Sequence, residues 1–227
     1  TMTTPAPSRG HYILVQSLIG SGHALSHFYW LALPPLFPVL QADLGFSYTE
    51  LGFLLTLLSI SSGGFQGVAG FLVDRFGARL LLVSGLAVMG LAISALGFVS
   101  SYWAMAALLV VSGIGNAVFH PADYVILNAS VPRERLGQAF SIHTFTGNVG
   151  FAAGPPVMLI LSAIFGWRGA LVAAGSLSLI VMAFVLLYGH VLHESHRAKK
   201  SDTAAEAGPS AVRTLFTPAI LMIFAFY

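Results

Sequence analysis

Six apolar runs, each long enough to cross a lipid bilayer as a helix, follow one another from Tyr12 to Leu192 with short charged stretches between them. A helix of about 20 apolar residues crosses a hydrocarbon core about 30 Å thick, and lipid offers a backbone polar group no partner outside its own segment. The chain is therefore expected to be an all-α membrane protein. The runs cover 12–40, 48–73, 80–99, 103–129, 138–165 and 169–192. They predict a six-helix transmembrane bundle over 1–193, then a polar linker over 194–217 in which Lys199, Lys200, Asp202, Glu206, Gly208 and Pro209 stand among few apolar residues. A seventh run opens over 218–227. The first run is longer than the core of a signal peptide and lacks a small-residue cleavage site, so it is read as a retained helix.

The rest of the composition narrows the function classes. Hydrophobic residues make up 56% of the chain and charged residues 8%, which points to lipid contact and away from a soluble core. There is no cysteine, which excludes disulfides, thiolate metal sites and thiol catalysis. A formal charge of +2 is no nucleic-acid signature here, because the basic residues sit in the short stretches between runs, where topology accounts for them. With the N-terminus in the cytoplasm, Arg9, Arg75, Arg79, Arg133, Arg135, Arg197, Lys199, Lys200 and Arg213 lie inside and Arg168 alone lies outside. That asymmetry satisfies the positive-inside rule. Tyr12, Tyr48, Tyr102, Trp103, Trp167 and Tyr188 fall near run ends, where amphipathic rings favour the headgroup layer.

Between the second and third runs the chain reads Gly70-Phe71-Leu72-Val73-Asp74-Arg75-Phe76-Gly77-Ala78-Arg79. This stretch resembles the loop signature G-x-L-x-D-R-x-G-x-R of the major facilitator superfamily, matching at Gly70, Leu72, Asp74, Arg75, Gly77 and Arg79. In that superfamily the loop latches the two halves of a transporter on the cytoplasmic side. The resemblance implies an N-terminal six-helix bundle built as an inverted 3+3 repeat, with the C-terminal six-helix half outside this sequence. In agreement, F-G-x-R-x-x-L-V recurs at Phe76–Val83 and at Phe165–Val172, three runs apart and so on opposite sides of the membrane. Chance similarity between apolar sequences is the alternative.

Run five carries Gly147, Gly150, Gly154 and Pro155, resembling the superfamily's fifth-helix motif G-x-x-x-G-P, although Met158 and Leu159 stand where that motif closes on two glycines. The motif accompanies antiporters. Leu109 replaces the arginine that many of the superfamily's exporters carry before the G-x-G of helix four. Gly113-Ile114-Gly115 followed by Phe119-His120-Pro121, with Ser26-His27 and Gly147-Asn148, resembles the fosmidomycin-resistance branch and its bacterial relatives. Small residues at these spacings, and at Gly63, Gly67 and Gly70 in run two, are expected to mark the faces where helices meet.

Polar groups inside the runs are the site candidates, since an ionisable side chain at membrane depth needs a cavity or a partner. Gln16, Gly20, His23, His27, Trp30 and Pro34 share one helix face in run one, and Asn116, His120 and Asp123 share one in run four. His143 and Asn148 follow in run five. His23, His27, Trp30, Asn116, His120, His143 and Asn148 are read as the substrate cavity, against the alternative that each is a packed polar group bonded to a neighbouring helix. Asp123 with His120 is the candidate proton-coupling pair; the alternative is a structural ion pair between Asp123 and Arg75, Arg79 or Arg133. Gly70, Asp74, Arg75, Gly77 and Arg79 form the latch, and Gly150, Gly154 and Pro155 a packing surface.

The leading reading is a secondary transporter of a small organic solute or drug working by alternating access, coupled to protons and favouring export. It is no enzyme, calls for no cofactor or metal, and acts in the bacterial inner (plasma) membrane as a multi-pass protein. Two other classes compete: a non-transporting membrane scaffold or half-transporter, and a haem protein in which two facing imidazoles from different helices hold the iron.

Overall fold

The computed structural model of the chain describes residues 9–194, together with 217 and 218. Apart from Glu194, Thr217 and Pro218, the expected linker and the opening of a seventh run lie outside the described residues. Among those residues every regular element is helical: α1 (Arg9–Trp30), α2 (Phe37–Leu44), α3 (Tyr48–Phe76), α4 (Ala78–Leu96), α5 (Tyr102–Asn116), α6 (Phe119–Ser130) and α7 (Leu136–Tyr188), with short 3-10 turns between some of them.

The six runs are recognisable in these elements, but three run boundaries differ from expectation, each time for a backbone reason. Run one does not continue to residue 40. It stops at Trp30, and Pro34 and Pro35 open a 3-10 turn that leads into α2, because neither proline has an N–H to carry an α-helix forward. Run four divides at Ala117 and Val118, one turn before Pro121, whose missing N–H leaves the Ala117 carbonyl without its helical donor. Runs five and six follow one another without an intervening loop, as two helical arms of α7 separated by a kink at Gly166, which takes φ 69° and ψ 168°, a conformation open to glycine. α3 begins at a capping box, with the Ser47 N–H donating to Glu50 Oε2 at 2.8 Å and the Glu50 N–H to Ser47 Oγ at 3.2 Å.

Gly77, between α3 and α4, has φ 95° and ψ 146°, close to the conformation of Gly166. The two F-G-x-R segments therefore share a backbone geometry as well as letters. Their arginines act reciprocally. Arg79, at the start of α4, donates from Nη2 to the Leu186 carbonyl at 3.3 Å, near the end of the second arm of α7. Arg168, at the start of that arm, donates from Nη1 to the carbonyls of Gly97 and Val99 at 3.1 and 3.0 Å, just past the end of α4. Each helix starts beside the other's end, so the two run antiparallel, as corresponding helices of an inverted repeat do.

Tyr48–Phe76, Ala78–Leu96, Tyr102–Ser130 and Arg133–Val191 are long and apolar enough to cross a membrane, and the last, at 59 residues, suffices for two crossings. α1 is less apolar, because Gln16, His23, His27 and the serines between them interrupt it. Packing shields it instead: Gln16, His23 and Ser26 are buried. Ile60, Phe98, Phe145, Ile164 and Leu187 point outward, exposed as a lipid-facing surface would be.

Glycine sets how closely the helices approach. A Cβ on Gly150 would fall onto the Ala24 carbonyl oxygen of α1, and one on Gly154 would stand 3.1 Å from the Phe28 carbonyl oxygen. α4 crosses the second arm of α7 where a Cβ on Gly90 would meet the Gly175 carbonyl oxygen at 2.8 Å. Gly113 of α5 abuts Leu58 and Ser61 of α3. In lipid, where the hydrophobic effect does not join helices, such contacts determine association. The run-two glycines behave differently from expectation: nothing lies within 4 Å of a Cβ built on Gly63, Gly67 or Gly70, so they leave a face of α3 uncovered among the described residues.

Candidate functional site

Four imidazoles and one carboxyl converge where α1, α6 and the first arm of α7 meet. His23 and His27, one turn apart on α1, have ring centroids 4.4 Å apart. His143 of α7 packs on His23 at 3.6 Å, and His120 of α6 lies 5.1 Å from His23 and 6.0 Å from both His27 and His143. The stripe on run one, the proline-broken run four and the polar start of run five thus supply one cluster. Gly147 makes the space for it, because a Cβ there would stand 2.9 Å from His23 Nε2 and 3.2 Å from His27 Nδ1.

Asp123 is fully buried beside this cluster, and its Oδ2 lies 3.0 Å from His143 Nε2. With the carboxyl ionised, Nε2–H donates and His143 carries its lone pair on Nδ1. Asp123 thus contacts an imidazole from another helix, where the sequence suggested coupling with His120, with His143 in reach, or an ion pair with the loop arginines. The other oxygen, Oδ1, has no hydrogen-bond partner, and neither have His23 Nδ1, His27 Nδ1 or His120 Nδ1. Four buried polar atoms without a partner in one place, among the described residues, call for an explanation beyond packing.

The remaining cavity candidates separate into two groups. Asn116 ties helices together. Its Oδ1 accepts from Ser62 Oγ at 3.0 Å and Trp30 Nε1 at 3.4 Å, while its Nδ2 donates to the Ser26 carbonyl at 2.9 Å. One side chain thereby joins α1, α3 and α5 at the end of the α5 helix. Asn116→Leu leaves the Ser26 carbonyl and the hydroxyl of Ser62 without these partners, and is expected to lower stability by about 1–3 kcal/mol. A detergent-unfolding midpoint equal to that of the unmodified chain would contradict this hub role. Asn148, in contrast, is exposed, one residue from Gly147 but off the α1-facing side of α7.

At the loop end of the bundle, Asp74 and Arg75 are exposed, while Arg79 is half-buried. Sequence reasoning missed the group that holds this loop, Glu194. Its Oε1 accepts from the backbone N–H of Arg79 at 2.7 Å, capping the start of α4, and its carboxylate occupies the space a Gly77 side chain would need. Glu194 falls at the start of the expected linker, and nothing local in the sequence distinguishes it. At the opposite end, Trp167 is buried against neighbouring helices and donates from Nε1 to Asp43 Oδ2 at 2.7 Å.

A family model described as Major Facilitator Superfamily matches residues 19–227. Among similar proteins, the "Probable L-galactonate transporter" of Escherichia coli (strain K12) is 28% identical over 68% of this chain and 34% of its own length. "Membrane sensor protein UhpC" of the same organism is 30% identical over 78% of this chain and 40% of its own length. The "Fosmidomycin resistance protein" of that organism is 24% identical over 92% of this chain and 51% of its own length. The chain spans between a third and a half of the length of these relatives.

Proposed function

The chain belongs to the Major Facilitator Superfamily, and from that we propose that it forms the N-terminal bundle of a secondary transporter that moves a small organic solute by alternating access. The observation that carries the reading is the polar cluster of His23, His27, His120, His143 and Asp123, set inside an otherwise apolar helical bundle. A helix interior bears such groups at membrane depth when solute or ions pass them. A second six-helix bundle would complete the cavity, packing on the uncovered glycine face of α3 and on the side of α7 that exposes Asn148. His27 and Asn148 would then line the solute path, and the Asp123–His143 pair would take up and release the proton that drives it. Asp74 and Arg75, exposed at the loop, would act in the latch between bundles and not in solute contact. With the N-terminus on the cytoplasmic side of a bacterial inner membrane, the loop faces inward, and the partial antiporter motif at Gly150, Gly154 and Pro155 is what favours exchange and export.

A sensor without transport is the second reading, and the similarity to a protein named a membrane sensor favours keeping it. Solute access separates the two only in part, so the test uses access together with solute competition. In this cysteine-free chain, single cysteines at His27 and Asn148 should react with a water-soluble maleimide in membrane vesicles, while cysteines at Ile60 and Ile164 should not. Excess L-galactonate or fosmidomycin should slow the reaction at His27 if either is carried. Equal protection at all four positions removes the cavity and with it the transporter reading.

A further inference from the structure

We propose that His23, His27 and His120 form a binding site for a divalent transition-metal ion of the zinc, cobalt or nickel class. One ring nitrogen from each of these residues can be chosen so that all three lie within 4.8 Å of one another. Zinc binds imidazole nitrogen at about 2.0–2.1 Å, so three donors around one ion stand closer together than that, and small side-chain rotations of the half-buried His27 and His120 close the difference.

The stronger argument is what the donors lack. His23 Nδ1, His27 Nδ1 and His120 Nδ1 are all buried without a hydrogen-bond partner. A neutral imidazole always presents one donor and one acceptor nitrogen, and the rings around these three offer their Nδ1 atoms no hydrogen bond. A metal ion takes three lone pairs at once and leaves each ring its N–H. Nitrogen donors also select the class of ion: imidazole suits zinc, cobalt, nickel and copper, whereas magnesium and calcium require oxygen cages.

Charge and support are provided next to the donors. Three neutral imidazoles bring no negative charge to balance a divalent ion in a low-dielectric interior. Asp123 does, from one residue away: its carboxylate holds His143 at 3.0 Å, and the His143 ring lies against His23 at 3.6 Å. Asp123 orients His143 and not one of the three donors, so its support reaches the site through the His143 ring that lies against His23. Gly147, lacking a Cβ, lets His23 Nε2 and His27 Nδ1 pack directly against its backbone. Three protein donors leave the ion a further coordination position for water or a solute oxygen.

Equilibrium metal binding requires neither solute nor gradient, so it can fail while the transporter reading stands, and the reverse. The chain, purified by a tag without histidine into lipid nanodiscs, is titrated with Co2+ and then Zn2+. One Co2+ per chain is expected, with the visible absorption of nitrogen-ligated cobalt, displaced by Zn2+. His27→Gln and His120→Gln should each weaken binding by roughly ten-fold or more, and Asp123→Asn by roughly ten-fold through the outer support. His190→Gln, exposed and outside the cluster, should leave it unchanged. Unmodified protein that binds neither ion, or a His27→Gln/His120→Gln double variant that binds as the unmodified chain does, overturns the proposal. Should a glutamine variant lose helicity, X-ray absorption on the zinc-loaded unmodified chain decides: three imidazole donors are expected, and fewer than two overturn it.

Discussion

Gly150→Ala is expected to separate α1 from α7 and to lower the stability of the bundle by about 3 kcal/mol or more. The added methyl would fall onto the Ala24 carbonyl oxygen and stand 2.8 Å from the Ala24 carbonyl carbon, both backbone atoms of a facing helix that cannot turn aside. Overpacking a well-filled contact usually costs about 1–3 kcal/mol, and here relief requires moving a whole helix. Such a movement would also disturb Gly147 and Gly154, which seat the same pair of helices, and so would carry the imidazole cluster with it. The matched control is Gly52→Ala on α3, where nothing lies within 4 Å of the new methyl. There the helix interior gains roughly 0.5–1 kcal/mol from alanine's lower backbone entropy cost. The two substitutions add the same atom with opposite expected signs. Unfolding midpoints in mixed micelles that shift equally for both would show that close approach at Gly150 is not what holds α1.

The same pair of glycines shows where the sequence is informative and where it stops. Periodicity and punctuation are local properties, and they were legible: six apolar runs, the Gly77 turn, and histidines spaced to share one face of run one. Glycine spacing along run two is as regular as that along run five, yet among the described residues nothing meets Gly63, Gly67 or Gly70 while Gly147, Gly150 and Gly154 are in tight contact. Spacing reports a face, and only the arrangement of other helices decides whether that face is covered. Pro34 was read as one more member of a helical stripe, when its missing N–H ends α1 within the same run. The candidate site shows the same division. His23, His27, His120 and His143 could each be named from membrane depth, but that all four meet, and that Asp123 pairs with His143 and not with an arginine of the loop, depends on the crossing of α6 and α7. Glu194 had no local signal at all, since its role comes from the distant start of α4.

His143→Leu is expected to destabilise the bundle by roughly 3–5 kcal/mol, the cost of leaving a buried ionised group without its counterpart. Asp123 has no exposed surface, and its Oδ1 is already unpartnered, so loss of the contact at 3.0 Å leaves the whole carboxyl unsatisfied. If the pair acts as a unit, Asp123→Leu added to His143→Leu should recover a large part of that loss, because the second change removes the stranded group. Residues in contact commonly show coupling of about 0.5–3 kcal/mol in such a cycle. Simple additivity would mean that Asp123 is satisfied in some other way, and the pair would lose its claim to be the proton carrier. Asp123→Asn distinguishes the remaining roles. The amide oxygen can still accept from His143 Nε2–H, so the fold should survive, but an amide does not take up and release a proton as a carboxyl does. A chain that folds with asparagine yet no longer responds to an imposed pH gradient would separate proton transfer from packing at this residue. If the response is retained, the contact between α6 and α7 is structural alone.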